Sequence, residues 1–152
     1  MMKMCCTSPV TGIEYYPEDS IHIANPKQIL FYLCKGLTIQ DIFSSKNYTT
    51  GEKILVFTID KKESQDMYDA WRENGKIDAS ILEGLELREQ RPEEVRILNL
   101  KQVIYYLEND AQLLEVCVMQ DRYTNDPVLG FIFNKNDTAE IYERWKEIKA
   151  RS

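Results

Sequence analysis

Two stretches decide the fold of this chain: IANPKQILFYL at residues 23–33 and ILNLKQVIYYL at residues 97–107. They lie 74 residues apart and share the order of their polar and apolar positions. Further along, MYDAW at residues 67–71 returns at the same spacing as IYERW at residues 141–145, so both tryptophans hold equivalent places. A unit that recurs along a chain usually buries its apolar face against its neighbour. We therefore predict that two copies of one unit build the fold.

This repetition divides the chain into segments. Residues 1–18 have no second copy and are predicted to form an N-terminal arm, followed by a first repeat at residues 19–75. A connecting segment at residues 76–92 leads to the second repeat at residues 93–152. The connecting segment is too apolar for a free linker and is expected to pack as a short helix or strap; its large apolar residues are Ile81, Leu82, Leu85 and Leu87. Together the segments are expected to form one compact domain.

Each copy is predicted to run in the order strand, helix, strand, strand, helix. Asn25 and Asn99 mark the start of the first helix, because asparagine side chains accept hydrogen bonds from the free N–H groups there. Gln28 and Gln102, three residues later, complete the pattern of a capping box. Alternating apolar residues mark the strand before the second helix: Leu55, Phe57 and Ile59 in the first copy, and Leu129, Phe131 and Phe133 in the second.

These elements predict an α+β fold formed by an internal tandem duplication. We expect pseudo-two-fold symmetry, with central antiparallel strands covered by helices. Equivalent aromatic residues, Trp71 with Trp145 and Phe57 with Phe131, are expected to bury against one another in the core. Each such large side chain would contribute about 1.5–3 kcal/mol to stability when fully buried.

One resemblance is carried by a set of residues in the first copy. They are NPKQ at residues 25–28, Phe31, Tyr32, ILVF at residues 54–57, Asp60, Lys61, Tyr68 and Trp71. The set resembles small uncharacterised proteins of phages and conjugative elements of Gram-positive bacteria, which usually hold one such unit. The second copy departs from the pattern at Leu100 and Gly130. The resemblance implies a mobile-element accessory protein whose unit pairs with itself, so that the duplicated chain is a fused dimer.

The charge of the chain restricts the class of partner. The net charge is −6, the sequence pI is about 4.9, and no basic tail is present. Nucleic-acid backbones are bound by clustered lysine and arginine, so acidity disfavours nucleic acid as a partner. We expect the partner to be another protein, and the chain to act as a monomer with a pseudo-dimer fold or as a homodimer.

Membrane and secretion signals are missing from the sequence. It has no run of 18 apolar residues, and residues 1–6 lack the apolar stretch of a signal peptide. We therefore expect a cytoplasmic protein that does not enter the membrane. The four cysteines form no C-x-x-C pair and are expected to be free thiols: Cys5, Cys6, Cys34 and Cys117.

Few residues suit catalysis. His22 is the only histidine and aligns with Arg96, at a strand position expected to be exposed. The six glycines are scattered and form no phosphate-binding loop. Asp41 and Glu115 align and would form a carboxylate pair if the symmetry axis brought them together, but acids on strands are more often solvated. We therefore predict no catalytic residue, no cofactor and no metal.

Four residues are predicted to contact a partner. Tyr48 and Tyr123 lie next to predicted hairpin turns and match across a one-residue slip in the alignment. Tyrosines on loops are common contact residues in protein interfaces. Lys27 and Lys101 recur in the first turn of a helix, where the helix dipole disfavours a cation, so their recurrence indicates contact with a partner or a phosphate.

The sequence thus favours a non-enzymatic mobile-element accessory protein that acts by protein–protein binding and interferes with a host defence or regulatory factor. One alternative is a DNA-binding accessory or regulatory protein that uses the pseudo-dyad to read a palindromic site. A second alternative is a small enzyme that uses Cys5, Cys6 or His22.

Overall fold

The structure is a computed structural model, and it describes residues 4–75, 79–83, 85, 87, 89 and 91–151. The first half of the chain begins with a small hairpin and a 3₁₀ helix. The hairpin consists of β1 (Cys6–Thr7) and β2 (Glu14–Tyr15), and the 3₁₀ helix is Pro17–Asp19. The elements that follow are β3 (Ser20–Ile23), α1 (Pro26–Cys34), β4 (Asp41–Lys46), β5 (Lys53–Asp60) and α2 (Lys61–Asn74).

The second half begins after a short 3₁₀ helix at Ala79–Leu82. Its elements are β6 (Glu94–Ile97), α3 (Leu100–Glu108), β7 (Leu113–Gln120), β8 (Pro127–Asn134) and α4 (Ala139–Arg151). The predicted α+β class is confirmed, because the described residues contain four α-helices and three small antiparallel sheets.

The two three-stranded sheets share one strand order. It is β3-β5-β4 in the first half and β6-β8-β7 in the second, and every neighbouring pair is antiparallel. One irregularity separates them: the register of β7 shifts between Leu113 and Glu115, which leaves Leu114 as an extra residue. Such a bulge lets β7 begin earlier than β4 without moving the rest of the strand out of register.

The N-caps predicted for α1 and α3 are confirmed. Asn25 Oδ1 accepts hydrogen bonds from the backbone N–H groups of Lys27 (3.0 Å) and Gln28 (3.4 Å). Asn99 Oδ1 accepts the equivalent bonds at 3.0 and 3.3 Å. The capping-box role predicted for the glutamines is wrong. The amide of Gln28 donates to the hydroxyl of Tyr32 (2.8 Å) instead, and that of Gln102 donates to the hydroxyl of Tyr106 (3.2 Å).

The first helix of each half packs against the sheet of the other half. Helix α1 contacts β7 and β8, and helix α3 contacts β4 and β5. At the centre, the fully buried rings of Phe57 and Phe131 meet with their centroids 6.4 Å apart. One continuous cluster of buried residues therefore includes both halves of the chain.

The predicted burial of the tryptophans beside these phenylalanines is wrong. Trp71 and Trp145 are only partly buried, at the periphery of the core cluster. Trp71 packs on Phe31 with ring centroids 5.6 Å apart, and Trp145 packs on Tyr105 at 5.7 Å. The central positions are filled by strand residues, since alternate side chains of β5 and β8 point directly into the core.

The N-terminal arm is tied to both halves. Ser8 Oγ and the Tyr15 hydroxyl donate to the carboxylate of Asp41, at 2.6 and 2.9 Å. From the second half, the amide of Gln112 donates to the carbonyl of Val10 (2.7 Å).

The described part of the connecting segment packs as expected. Its 3₁₀ helix lies against β8, and Ile81 and Leu85 are partly buried against the core. Residues 76–78, 84, 86, 88 and 90 of this segment lie outside the described residues. None of the described helices is long and apolar enough to cross a membrane.

Candidate partner-binding surface

The turn between β4 and β5 is fixed by the side chain of Asn47. Its Oδ1 accepts hydrogen bonds from the backbone N–H groups of Thr49 (2.9 Å) and Thr50 (3.3 Å). The N–H of Asn47 donates to the carbonyl of Glu52 (2.8 Å), which closes the turn. Gly51 sits at φ +77°, in the left-handed region that glycine adopts without steric cost. The backbone on both sides of Tyr48 is therefore held in one conformation.

The turn between β7 and β8 repeats this arrangement with Asp121. Its Oδ1 accepts from the N–H groups of Tyr123 (2.7 Å) and Thr124 (3.1 Å), and its own N–H donates to the carbonyl of Asp126 (2.8 Å). The two hydrogen bonds that the Asp121 carboxylate accepts, from Tyr123 and Thr124, lower its pKa because they stabilise the charged form. Asn125 takes the left-handed position at φ +64°, which asparagine tolerates better than most residues.

The hydrogen bonds of the two turns show that the predicted one-residue shift in their alignment is wrong. Asn47 and Asp121 play the same role and are 74 residues apart, so the two turns align without any insertion. Tyr48 is then equivalent to Arg122, and Tyr123 to Thr49. The tyrosines occupy neighbouring positions of equivalent turns rather than the same position. The spacing of 74 residues also relates the Asn25 and Asn99 caps, so it holds on both sides of the Leu113–Glu115 bulge.

Both turn tyrosines project into solvent. The exposed fraction is 96% for Tyr48 and 86% for Tyr123, the highest among the exposed large apolar residues of the described chain. Neither ring is needed by the core. The turns themselves are stabilised by backbone and Asx hydrogen bonds, so the aromatic side chains contribute little to the fold at these places.

The lysines predicted to contact a partner are both exposed in the first turns of α1 and α3. Lys101 borders a shallow groove of about 330 Å³ between α3 and the first hairpin turn. Glu52 of the turn and Lys53 at the start of β5 line one side of this groove, and α3 contributes Tyr105 and Glu108. Lys101 and the turn that carries Tyr48 therefore belong to one surface, although they come from different halves.

An ion pair joins the walls of this groove. Lys53 Nζ lies 2.8 and 3.0 Å from the two carboxylate oxygens of Glu108. The equivalent positions in the other half are Pro127 and Cys34, both buried, so this pairing belongs to one side of the molecule only. Sequence reasoning missed the groove, because its residues are distant along the chain and no local pattern relates them.

No protein-family model and no curated protein matches this chain at a significant level.

The remaining candidates do not converge on a site. The four cysteines form no disulfide in the described structure: Cys5 is exposed, Cys6 is half-buried, and Cys34 and Cys117 are buried. Burial raises the pKa of the Cys34 thiol, which disfavours its reactive thiolate form. His22 is exposed and meets the ring of Phe43 edge-on, with centroids 5.2 Å apart. Among the described residues, no group of three or more His, Cys, Asp or Glu side chains is placed to hold a metal ion.

Asp41 has a structural role that the sequence did not suggest. It is half-buried, and both of its carboxylate oxygens accept hydrogen bonds from the N-terminal arm. The expectation of a solvated strand face is therefore wrong at this position. Burial, followed by the hydrogen bond to Asp41, raises the pKa of Tyr15 to about 12.

Proposed function

We propose that this protein is a non-enzymatic binding protein that contacts another protein through the two hairpin turns bearing Tyr48 and Tyr123. The observation that carries this proposal is the near-complete exposure of both tyrosines on turns fixed by internal hydrogen bonds. Tyrosine offers a large amphipathic contact area with only two rotatable side-chain bonds, which keeps the entropic cost of binding low. A turn that is already ordered reduces that cost further.

The surface extends from the first turn to α3. Lys101, Tyr105 and the Lys53–Glu108 pair surround the adjacent groove with both charges and an aromatic ring. Mixed polar groups around an aromatic centre are typical of non-obligate protein interfaces. This composition supports a protein partner that the chain binds and releases.

We further propose that the chain arose by tandem duplication and has pseudo-two-fold symmetry. Support comes from side-chain interactions that recur at a spacing of 74 residues: the Asn25 and Asn99 caps, the Gln28–Tyr32 and Gln102–Tyr106 bonds, and the Asn47 and Asp121 turns. The sheets also share one strand order. Since these details include roles that generic helix and strand patterns do not require, common ancestry of the halves explains them better than convergence.

The partner is proposed to be a defence or regulatory protein of a bacterial host. This part of the proposal rests on the resemblance of residues 25–71 to proteins of Gram-positive mobile elements. A palindromic DNA site is the alternative, because Lys27 and Lys101 are both exposed at helix starts. The net charge of −6 argues against it.

The test is affinity capture from a nuclease-treated lysate of a Gram-positive host, followed by binding measurements with the purified partner. We expect wild-type protein to retain a stoichiometric protein, and the Tyr48→Ser/Tyr123→Ser variant to lose it. Each substitution should reduce the free energy of binding by about 2 kcal/mol, which weakens Kd about 30-fold, if the tyrosine is a hot spot.

The matched control is Tyr16→Ser, which removes another exposed tyrosine, one that belongs to neither turn. Equal binding by wild type and the double variant would contradict the assignment of the turns. Salt-dependent binding of duplex DNA without any protein partner would replace the proposal with the DNA-binding alternative.

A further inference from the structure

One pair of aromatic rings occurs twice in the molecule, once in each half. Phe31 of α1 packs on Trp71 of α2 with ring centroids 5.6 Å apart, and Tyr105 of α3 packs on Trp145 of α4 at 5.7 Å. Both members of the first pair are related to those of the second by the spacing of 74 residues. The surroundings of the two pairs can therefore be compared position by position.

In the first half, a lysine of the chain itself lies over the aromatic pair. Lys35 Nζ is 5.4 Å from the centroid of the Phe31 ring. A cation within about 6 Å of an aromatic centroid is attracted by the negative face of the ring. The Phe31–Trp71 pair is thus already occupied by a cation from within the protein.

In the second half, the residue equivalent to this lysine is Asn109, which carries no charge. Its side-chain amide donates to the backbone carbonyl of Tyr105 (2.8 Å) and so is engaged by the end of α3. Among the residues that the structure describes, no cation lies over the ring of Tyr105 or of Trp145. These two rings instead border the groove of about 330 Å³ beside the first hairpin turn.

The groove also has a carboxylate that the first half lacks. Glu108 lines it, whereas the equivalent residue of the first half is Cys34, which is buried. A second carboxylate, that of Glu52, lines the groove from the hairpin turn. Ring faces and carboxylates are both negative, so a groove that combines them favours a cationic ligand.

Two lysines line the same groove, and neither lies over the aromatic pair. Lys53 is held by Glu108 in the ion pair described above. Lys101 is exposed, and a long lysine side chain can turn its ammonium outward into water. The four charged residues leave the groove neutral, but the protein as a whole carries a net charge of −6. The field around the molecule therefore favours the approach of a cationic group.

We infer that this groove receives an arginine side chain of the partner protein. The inference rests on the proposed function, in which the adjacent hairpin turn contacts that partner. Arginine suits the groove better than lysine, because its planar guanidinium stacks on aromatic rings and donates two parallel hydrogen bonds to a carboxylate. The guanidinium would lie against Tyr105 and Trp145 and would take the place of Lys53 on the carboxylate of Glu108.

The test is a titration of the full-length protein with N-acetyl-arginine N-methylamide, followed by NMR of the two tryptophan indole N–H groups. We expect the signal of Trp145 to shift and that of Trp71, whose ring pair is occupied by Lys35, to stay in place. The matched ligand is N-acetyl-citrulline N-methylamide, which has nearly the same shape but no charge. It should bind about fivefold more weakly, or less well still.

Two variants of the ion pair should change the affinity for the arginine derivative in opposite directions. Glu108→Gln should weaken binding about threefold or more, because it removes the carboxylate that the guanidinium contacts. Lys53→Met should strengthen binding, because it removes the cation that competes for Glu108. Lys62→Met is the control, since this exposed lysine of α2 does not line the groove. Circular dichroism checks that all three variants are folded.

The Tyr48→Ser/Tyr123→Ser variant separates this inference from the proposed function. It should bind the arginine derivative like wild type, because neither tyrosine lines the groove. No shift of the Trp145 signal, an equal affinity for the citrulline derivative, or weaker binding by Lys53→Met would each overturn the inference. In those cases, loss of a captured partner from the tyrosine variant would still support the proposed function.

Discussion

The rings of Phe57 and Phe131 lie with their centroids 6.4 Å apart and their planes inclined by 36°, and neither is exposed to solvent. They come from β5 and β8, the central strands of the two three-stranded sheets. Their separation falls in the range in which aromatic pairs attract each other beyond the effect of burial. This contact joins the halves of the chain at the centre of the core.

Replacement of Phe57 or Phe131 by alanine should strongly destabilise the protein. Each substitution removes a fully buried ring and leaves a cavity between the halves, with an expected loss of about 3–5 kcal/mol in the free energy of unfolding. The double variant should lose less than the sum of the single variants, by about 0.5–1.5 kcal/mol, because the rings contact each other. Urea denaturation of the four proteins measures both quantities.

Tyr48→Ser serves as the control for that series, since this side chain is almost fully exposed. Its free energy of unfolding should stay within about 0.5 kcal/mol of wild type. Strict additivity of the two phenylalanine substitutions would contradict the direct contact.

Gly51→Ala should destabilise the first hairpin turn. The residue adopts φ +77°, a conformation that costs a residue with a Cβ about 1–2 kcal/mol. Thermal denaturation should show a loss of about that size. Gly51→Asn is the matched control, because Asn125 occupies the equivalent place in the second turn at φ +64°. Asparagine should therefore be tolerated better than alanine, and equal losses would argue against a left-handed conformation at this position.

Attachment of the N-terminal arm should weaken at alkaline pH. The pKa of Tyr15 is raised from 10.0 to about 12, so the folded state holds the phenolic proton more tightly than the unfolded state. The resulting stabilisation is fully present below pH 10 and is lost as the pH rises towards 12. Urea denaturation between pH 9 and about 12 should show this decline.

Tyr15→Phe should reduce that dependence and lower the stability at neutral pH, because the hydrogen bond to Asp41 is lost. Some decline should remain, since burial also raises the pKa of Tyr32 and of Tyr106. An unchanged alkaline slope in Tyr15→Phe would show that Tyr15 is not responsible.

The Lys53–Glu108 ion pair should contribute little to stability. The exposed fractions of the two side chains are 63% and 35%, so water and salt screen their attraction. A double-mutant cycle with Lys53→Met and Glu108→Gln should give a coupling of about 0.2–1 kcal/mol that decreases in 1 M salt. A coupling that is larger and independent of salt would mean that the pair is shielded from solvent.

Local signals in the sequence predicted much of the secondary structure. The Asn25 and Asn99 caps and the inward face of Leu55, Phe57 and Ile59 were predicted correctly, because capping and alternation depend on neighbouring residues. The roles of Gln28 and Gln102 were predicted wrongly, because the side-chain amide of each bonds to a nearby tyrosine hydroxyl instead of to the helix N-terminus.

Contacts between residues far apart in the chain account for most of the remaining differences between the sequence predictions and the structure. The arm on Asp41 and the groove beside Lys101 each depend on elements far apart in the chain. Trp71 and Trp145 were predicted to be more deeply buried than they are. Apolar residues at helical spacing indicate which face of a helix is covered, but not how completely each side chain is buried. The turn tyrosines are predicted by sequence as contact residues, and their exposure on the surface is compatible with that prediction.

Helix α3 of the second half covers the sheet of the first half, and this arrangement has a consequence during synthesis on the ribosome. Strand β5 is complete at Asp60, but helix α3, which packs against it, is not complete until Glu108. At translation rates of 5–20 residues per second, the apolar face of the first sheet remains uncovered for roughly 2–10 s, until α3 has been synthesised. Nascent chains stalled in this interval should therefore be the species that chaperones recognise and proteases cleave.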